Sequence, residues 1–246
     1  GLMLNEDGMV YDDGVTTRLD QNHYIMTTTT GGAASVMSKL EDFLQTEWPE
    51  LEVYLTSVTD HFATVSVCGP NSKKILSKVI PDLDLSDENF PHMSFQNAQI
   101  EKIKCRVMRI SFTGEHSYEI NIQASFGNSV WEKCMEAGKK FNITPYGTEA
   151  MHLLRAEKGF IIVGQDTDGT LTPIDLQMDW IVSKKKYDFI GKRSLYRSDT
   201  IREDRKQLVG LVTEDPHEVL EEGAQIVSEL NKKPVDMLGH VTSSYY

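Results

Sequence analysis

The stretch RISFTGEHSYEI at residues 109–120 predicts two short strands joined by a tight turn. Period-2 alternation of apolar and polar residues on both arms is typical of strands with one buried face. The apolar positions are Met108, Ile110 and Phe112 on the first arm and Tyr118, Ile120 and Ile122 on the second. Gly114 suits a turn that needs a positive φ. The alternation places Arg109 and Glu119 on the face opposite the apolar one.

Glu119 is the residue of this hairpin whose chemistry points to a ligand. A carboxylate held on a strand is a two-point acceptor for adjacent N–H donors on the edge of a planar ring. The same pattern also fits an ordinary antiparallel hairpin whose polar face meets water. The residues alone leave both interpretations open.

Composition excludes several classes of protein. The chain has 246 residues, 37 of them acidic and 25 basic, and a formal net charge of −12, which argues against a nucleic-acid partner. Apolar runs fall well short of the roughly 20 residues that cross a bilayer, and residues 1–8 show no signal peptide, so we expect no membrane partner and a cytoplasmic location. The three scattered cysteines predict reduced thiols and no metal site.

Helical spacing alternates with β-prone stretches along the chain, which predicts an α+β fold with antiparallel sheets flanked by helices. The predicted helices are 33–47, a short one containing Ile75 and Val79, 126–141 and 148–157, and one predicted strand covers 53–58. The charged run SDTIREDR at 198–205 marks a boundary. We therefore expect one α+β domain over 1–200 and a mainly β region over 201–246.

Longer blocks resemble the glycine-cleavage T-protein (aminomethyltransferase) superfamily, and within it the carboxy-terminal part of heterotetrameric sarcosine oxidase α subunits. These blocks are GMVYDDGVTTRL (8–19), TTTTGGAA (27–34), LQTEWPELEVYLTSVT (44–59), YGTEAMHLLRAEKGFIIVGQDTDGTLTP (146–173) and DRKQLVG (204–210). The resemblance covers essentially the whole chain. It implies that the chain is a fragment of a longer polypeptide and that 201–246 begins a C-terminal β-barrel.

The resemblance also implies a tetrahydrofolate site on the hairpin at 109–120. By position, Glu119 matches the family's pterin-recognising glutamate, and Tyr118 beside it is a further predicted contact of the folate. Phe112 would pack on the folate ring system and Trp180 would wall the pocket, although core packing is an equal alternative for both.

Arg155 matches a family arginine near the folate site. Its guanidinium suits the carboxylate of the folate tail or of an amino-acid substrate. The alternative is an ion pair with Glu157 or another acid. Glu115, Asp166 and Asp168 are interpreted as turn or surface residues rather than catalytic ones.

One departure from the family concerns catalysis. The T-protein carries an asparagine-led motif followed by a lysine–aspartate pair, but TTTTGGAASVMS (27–38) has no acid before Glu41. The catalytic residue is therefore left unassigned. This departure is typical of the sarcosine oxidase branch.

The activity implied by the resemblance is capture of the one-carbon unit of oxidised sarcosine as 5,10-methylenetetrahydrofolate, with release of glycine. FAD, FMN and NAD would be bound elsewhere in a complex with the other sarcosine oxidase subunits. The alternatives are a dimethylglycine dehydrogenase-like protein, a folate-dependent aminomethyltransferase or demethylase, and a non-enzymatic iron–sulfur assembly factor. The last of these carries a KGCYxGQE motif, whereas KGFIIVGQD (158–166) has Phe160 in place of the cysteine.

Overall fold

The computed structural model describes residues 1–231 and 233–246. The chain forms two compact units, one of Gly1–Leu55 with Ile161–Tyr246 and the other of Thr56–Phe160. These units do not separate near residue 200. The expected division into a domain over 1–200 and a β region over 201–246 stays a prediction.

The first unit opens with two antiparallel strand pairs and a helix. Strand β1 (Leu2–Leu4) pairs with β2 (Val10–Asp13), β3 (Thr16–Asp20) pairs with β4 (His23–Met26), and helix α1 follows over Ala33–Thr46. The side chain of Asn5 closes the β1–β2 turn, because its Oδ1 accepts the N–H groups of Asp7 at 3.1 Å and Met9 at 2.9 Å.

The strand predicted at 53–58 is not formed, and this prediction is wrong. These residues have no regular secondary structure. Tyr54 is 92% exposed, so the segment does not bury the apolar face that a strand needs.

The second unit is a four-stranded antiparallel sheet, and two of its helices pack on one face of that sheet. Its elements are β5 (Phe62–Cys68), α2 (Ser72–Val79), β6 (Phe95–Ile100), β7 (Ile103–Met108), β8 (Ser117–Gln123), α3 (Gly127–Gly138) and α4 (Thr148–Glu157). The strand order is β5-β8-β7-β6, so β8 is an inner strand. Residues from β5, β7, β8, α2 and α3 share one apolar core. The four predicted helices and the α+β class are confirmed.

The hairpin that decides the fold is present, but its first arm differs from the prediction. β7 ends at Met108, and residues 109–116 form the connection to β8. Met108 lies opposite Glu119 in the ladder, so the two share a face, whereas the core face of β7 carries Cys105 and Val107. Arg109 lies beyond the strand end and pairs with Asp87 at 2.9 Å.

The rest of the first unit consists of turns, the 3-10 helices Asp179–Ile181 and Arg193–Tyr196, and the antiparallel pair β9 (Gln225–Val227) and β10 (Met237–His240). Asp166 ties this region together, because one carboxylate oxygen accepts the hydroxyls of Thr242 and Ser243, each at 2.7 Å. In the described ranges no helix has the length and apolar character needed to cross a membrane.

A buried ion pair joins the predicted boundary segment to the preceding loop. The carboxylate of Asp175 accepts bonds from Arg205 Nε at 2.8 Å and Nη2 at 2.6 Å, and from the Thr172 N–H at 2.8 Å. Burial opposes ionisation of Asp175, but these bonds outweigh it and hold its pKa below the ordinary value.

We expect Asp175→Asn to destabilise the protein by about 1.5–3 kcal/mol, because it removes the charge-assisted hydrogen bonds that Arg205 and Thr172 donate to the buried carboxylate. Since the folded-state pKa of Asp175 is depressed, its contribution is present at neutral pH and is lost as the pH falls through that pKa. Urea unfolding at several pH values measures this effect. The exposed pair of Asp7 and Arg197 in the same unit provides the control, and Asp7→Asn should change stability by under about 1 kcal/mol.

Candidate functional site

The candidate site is the face of the second unit's sheet that points away from its apolar core. Because side chains alternate along each strand, the residues between the core positions of β5, β7 and β8 share this second face. They include Thr64, Ser66, Arg106, Met108, Glu119 and Asn121. We call this surface the polar sheet face.

Glu119 lies at the middle of the polar sheet face. In the ladder it is opposite Ser66 of β5 and opposite Met108 of β7, so strands on both sides fix its position. The side chain is partly buried, and burial raises the pKa of its carboxyl. In the described part of the chain no cation offsets this effect. The ionised Glu119 is thus a hydrogen-bond acceptor without a nearby positive charge to offset the cost of its burial.

Tyr146 is a member of this site that the hairpin pattern did not reveal. It precedes α4, and its phenol lies beside the side chains of Ser66 and Cys68 and near Glu119. Burial raises the pKa of Tyr146, and the negative charge of Glu119 adds to the shift. The phenol therefore stays protonated at neutral pH and is able to donate a hydrogen bond on this face.

Neighbouring polar groups on the face are held by short contacts. The Asn121 amide donates to Thr64 Oγ1 at 3.0 Å, and the hydroxyls of Ser66 and Ser117 lie 3.4 Å apart. These contacts link β5 to β8 above the backbone ladder and make the face a rigid support.

Tyr118, predicted as a site residue, lies on the other face of β8. Its ring is fully buried, packs 5.6 Å from Phe90, and its hydroxyl lies 3.0 Å from His116 Nε2. Adjacent strand residues point to opposite faces, so Tyr118 cannot share a ligand surface with Glu119. Its role as a contact residue is therefore corrected to that of a core residue.

Phe112 lies in the connection between β7 and β8 and is 36% exposed. The tip of this connection is tightly fixed: Gly114 has φ of 75°, and a Cβ there would come within 2.2 Å of the Lys158 side chain. Lys158 also lies 3.5 Å from the carboxylate of Glu115. The positive φ predicted for Gly114 is confirmed, and Phe112 stays a predicted ligand contact.

Arg155 is 2% exposed near the end of α4. Its Nη1 donates to the backbone carbonyl of Phe160 at 3.0 Å, which closes the turn after the helix. At least one of its N–H groups is thus committed to local structure, and a ligand role for Arg155 stays a prediction. Asp168 accepts the N–H and the hydroxyl of Thr170, so its expected role as a turn cap is confirmed.

Trp180 belongs to the first unit, within the 3-10 helix Asp179–Ile181, and is 74% exposed. Its expected place in the pocket wall stays a prediction. The first unit also holds a cavity of about 310 Å³ lined mainly by apolar side chains, among them Leu2, Leu4, Met26 and Leu40. Hydrocarbon walls do not recognise the polar edge of a pterin.

Comparison with known proteins identifies the family. Residues 1–186 match the family model of the GCVT N-terminal domain. The chain belongs to this family. A solved aminomethyltransferase T of the glycine cleavage system from Bartonella henselae matches with a TM-score of 0.65 at 23% identity, over 78% of this chain and 50% of that one, which shows the common fold.

Similar sequences extend the comparison over the full chain. It is 55% identical to a sarcosine oxidase subunit alpha from Corynebacterium sp. (strain P-1) and 41% identical to one from Rhizobium meliloti (strain 1021). Both matches cover 100% of this chain but only 26% and 25% of the relatives. The chain thus spans about a quarter of the length of these relatives.

The raised pKa of Glu119 gives a prediction about stability. Because folding disfavours the ionised carboxyl, Glu119→Gln should increase the free energy of unfolding at neutral pH in the absence of any ligand. The increase should vanish at pH values below the ordinary carboxyl pKa, where both states of the wild type are protonated. Chemical unfolding of both proteins across this range measures the difference. Glu115→Gln, which removes only a partly exposed ion pair with Lys158, should show no such increase.

Proposed function

We propose that this chain is the tetrahydrofolate-binding part of a sarcosine oxidase-type α subunit. In this role it captures the one-carbon unit of oxidised sarcosine as 5,10-methylenetetrahydrofolate and releases glycine. The observation that carries the proposal is the partly buried, uncompensated carboxylate of Glu119 on the polar sheet face. Family membership and the similar sarcosine oxidase subunits support it.

The chemistry of Glu119 fits the edge of a pterin. The N3–H and 2-amino group of the ring are two parallel donors, and one carboxylate accepts both. Charge-assisted hydrogen bonds of this kind replace the hydration that Glu119 loses on folding. The pKa of Glu119 should therefore fall when the ligand binds.

The contribution of the chain to the reaction is positioning and the exclusion of water. Tetrahydrofolate, as the acceptor substrate, supplies the nitrogen that captures the one-carbon unit. Holding it in a fixed orientation on a rigid sheet removes most of the entropic barrier to attack. A site shielded from water also prevents loss of the carbon as formaldehyde.

The remaining predicted residues and partners belong to this proposal. Phe112 offers an exposed ring beside the hairpin, Arg155 supports the end of α4, and Trp180 offers a second exposed aromatic surface. We place FAD, FMN and NAD on other segments or subunits of a hetero-oligomer, in the cytoplasm.

The proposal is tested with Glu119→Gln in the full-length α subunit assembled with its partner subunits. The amide presents an N–H group to the pterin donors, so tetrahydrofolate affinity should fall at least about thirtyfold, the equivalent of about 2 kcal/mol. Sarcosine oxidation should continue, with formaldehyde replacing methylenetetrahydrofolate as the one-carbon product. Calorimetry and product analysis measure both effects.

Glu115→Gln on the same hairpin is the matched control, because it changes the same residue type outside the polar sheet face. It should leave folate affinity and product distribution unchanged. An unaltered yield of methylenetetrahydrofolate in Glu119→Gln would contradict the proposal.

The proposal also predicts how folate affinity depends on pH. Only the ionised Glu119 accepts both donors, and its pKa is raised in the free protein. Affinity should therefore decline as the pH falls through that raised pKa and stay constant above it, with uptake of the ligand releasing protons near the pKa. Calorimetry in buffers of different ionisation enthalpy measures the proton release, which should be absent in Glu119→Gln.

A further inference from the structure

Arg106 is a second charged residue of the polar sheet face. It lies opposite Asn121 in the β7–β8 ladder, two residues along from the pair of Met108 and Glu119. Residues two apart on a strand share a face, so Arg106 and Glu119 lie on the same side of the sheet.

The guanidinium of Arg106 extends across β8 towards β5. Its Cζ lies 5.8 Å from the centre of the Phe62 ring, and Phe62 pairs with Gln123 of β8. The side chain thus runs away from Glu119 rather than towards it.

Two nitrogens of this guanidinium, Nε and Nη1, are buried and have no hydrogen-bond partner among the described residues. Burial lowers the pKa of Arg106. By contrast, Arg205 and Arg109 each contact a carboxylate, at 2.6 Å and 2.9 Å. The chain has 37 acidic and 25 basic residues, so carboxylates outnumber the basic groups that could pair with them. Arg106 nevertheless keeps two buried nitrogens without an acceptor among the described residues.

We propose that Arg106 binds a carboxylate of the ligand that Glu119 holds on the polar sheet face. This inference rests on the proposed folate function. The carboxylate has two possible sources, the glutamate tail of the folate or the amino acid that shares the site. Both present the planar, two-oxygen acceptor that matches a guanidinium fork.

The position of Arg106 suits this role. Two residues along an antiparallel strand span roughly 6.8 Å, and the arginine side chain adds further reach in the same direction. A ligand anchored by its donor edge at Glu119 would thus meet Arg106 with a group well removed from that edge. The contact with the Phe62 ring is weaker than a charge-assisted hydrogen bond, so a carboxylate would displace it.

Arg106 differs in this respect from Arg155, to which the sequence assigned the same chemistry. Arg155 donates to the carbonyl of Phe160, whereas Arg106 has two buried nitrogens without an acceptor in the described chain. The structure therefore makes Arg106 the better candidate for carboxylate binding.

The test uses Arg106→Met in the full-length protein with its partner subunits, because methionine retains the aliphatic stem and removes the charge. Affinities are measured for tetrahydrofolate and for tetrahydropteroate, which lacks the glutamate. If the tail is the source, tetrahydrofolate affinity should fall about tenfold or more and tetrahydropteroate affinity should not change.

If the amino acid is the source, both affinities should stay constant, and the ratio of methylenetetrahydrofolate to formaldehyde should fall at saturating folate. If Arg106→Met has the wild-type affinity for both folates and the wild-type ratio of methylenetetrahydrofolate to formaldehyde, the inference is overturned. An equal loss of affinity for both folates would also overturn it, because that pattern indicates a general disturbance of the face.

Lys104→Met is the matched control, because Lys104 lies two residues from Arg106 on the same strand and face and is exposed. It should leave all three measurements unchanged. Arg106→Lys retains the charge without the fork and should recover part of the loss.

Failure of the wild type to bind tetrahydrofolate, or normal binding by Glu119→Gln, would instead contradict the proposed function. Thermal unfolding checks the fold of each variant. Arg106→Met should unfold no earlier than the wild type, since the lost Nε and Nη1 groups bond no acceptor in the described chain.

Discussion

The burial of an ionisable carboxyl on an inner strand is the constraint on which the site depends. The fully buried side chains of Tyr118, Ile120 and Ile122 fix one face of β8 against the core. Because side chains alternate along a strand, Glu119 lies on the opposite face, with a neighbouring strand on each side of β8. The packing of the hydrophobic core therefore sets the position of the Glu119 carboxyl. In that position the carboxyl is partly removed from water, which raises its pKa.

The two units treat buried charge differently. In the first unit Asp175 is almost fully buried, yet Arg205 and Thr172 saturate its oxygens, and its pKa is lowered. In the second unit Glu119 is less buried but uncompensated, and its pKa is raised. The first arrangement stabilises the fold, whereas the second leaves a carboxylate without a compensating charge, a feature that is common at ligand sites.

The second arm of the hairpin could be predicted from sequence because β8 is a regular strand with neighbours on both sides. The first arm could not, because alternation continues through 109–112, where the chain has already left the sheet. A shift of one residue moves every side chain to the other face, so the pattern placed Arg109 on the polar sheet face instead of Arg106. Tyr146 is far from Glu119 in sequence, and only the return of the chain before α4 brings its phenol to the face. The resemblance to the family was enough to predict Glu119. The proximity of Tyr146 to Glu119 is visible only in the three-dimensional structure.

The separation of Glu119 and Arg106 is the feature that ties the site to a ligand of defined shape. Diagonal neighbours on one sheet face are about 7–8 Å apart, close enough for a glutamate and an arginine to pair. Within the described chain they do not pair, and the arginine turns towards Phe62 instead. An acceptor and a donor that share a face without neutralising each other complement a molecule with donors at one end and an acid at the other. A reduced folate has this polarity, so the role proposed for Arg106 is consistent with the role proposed for Glu119.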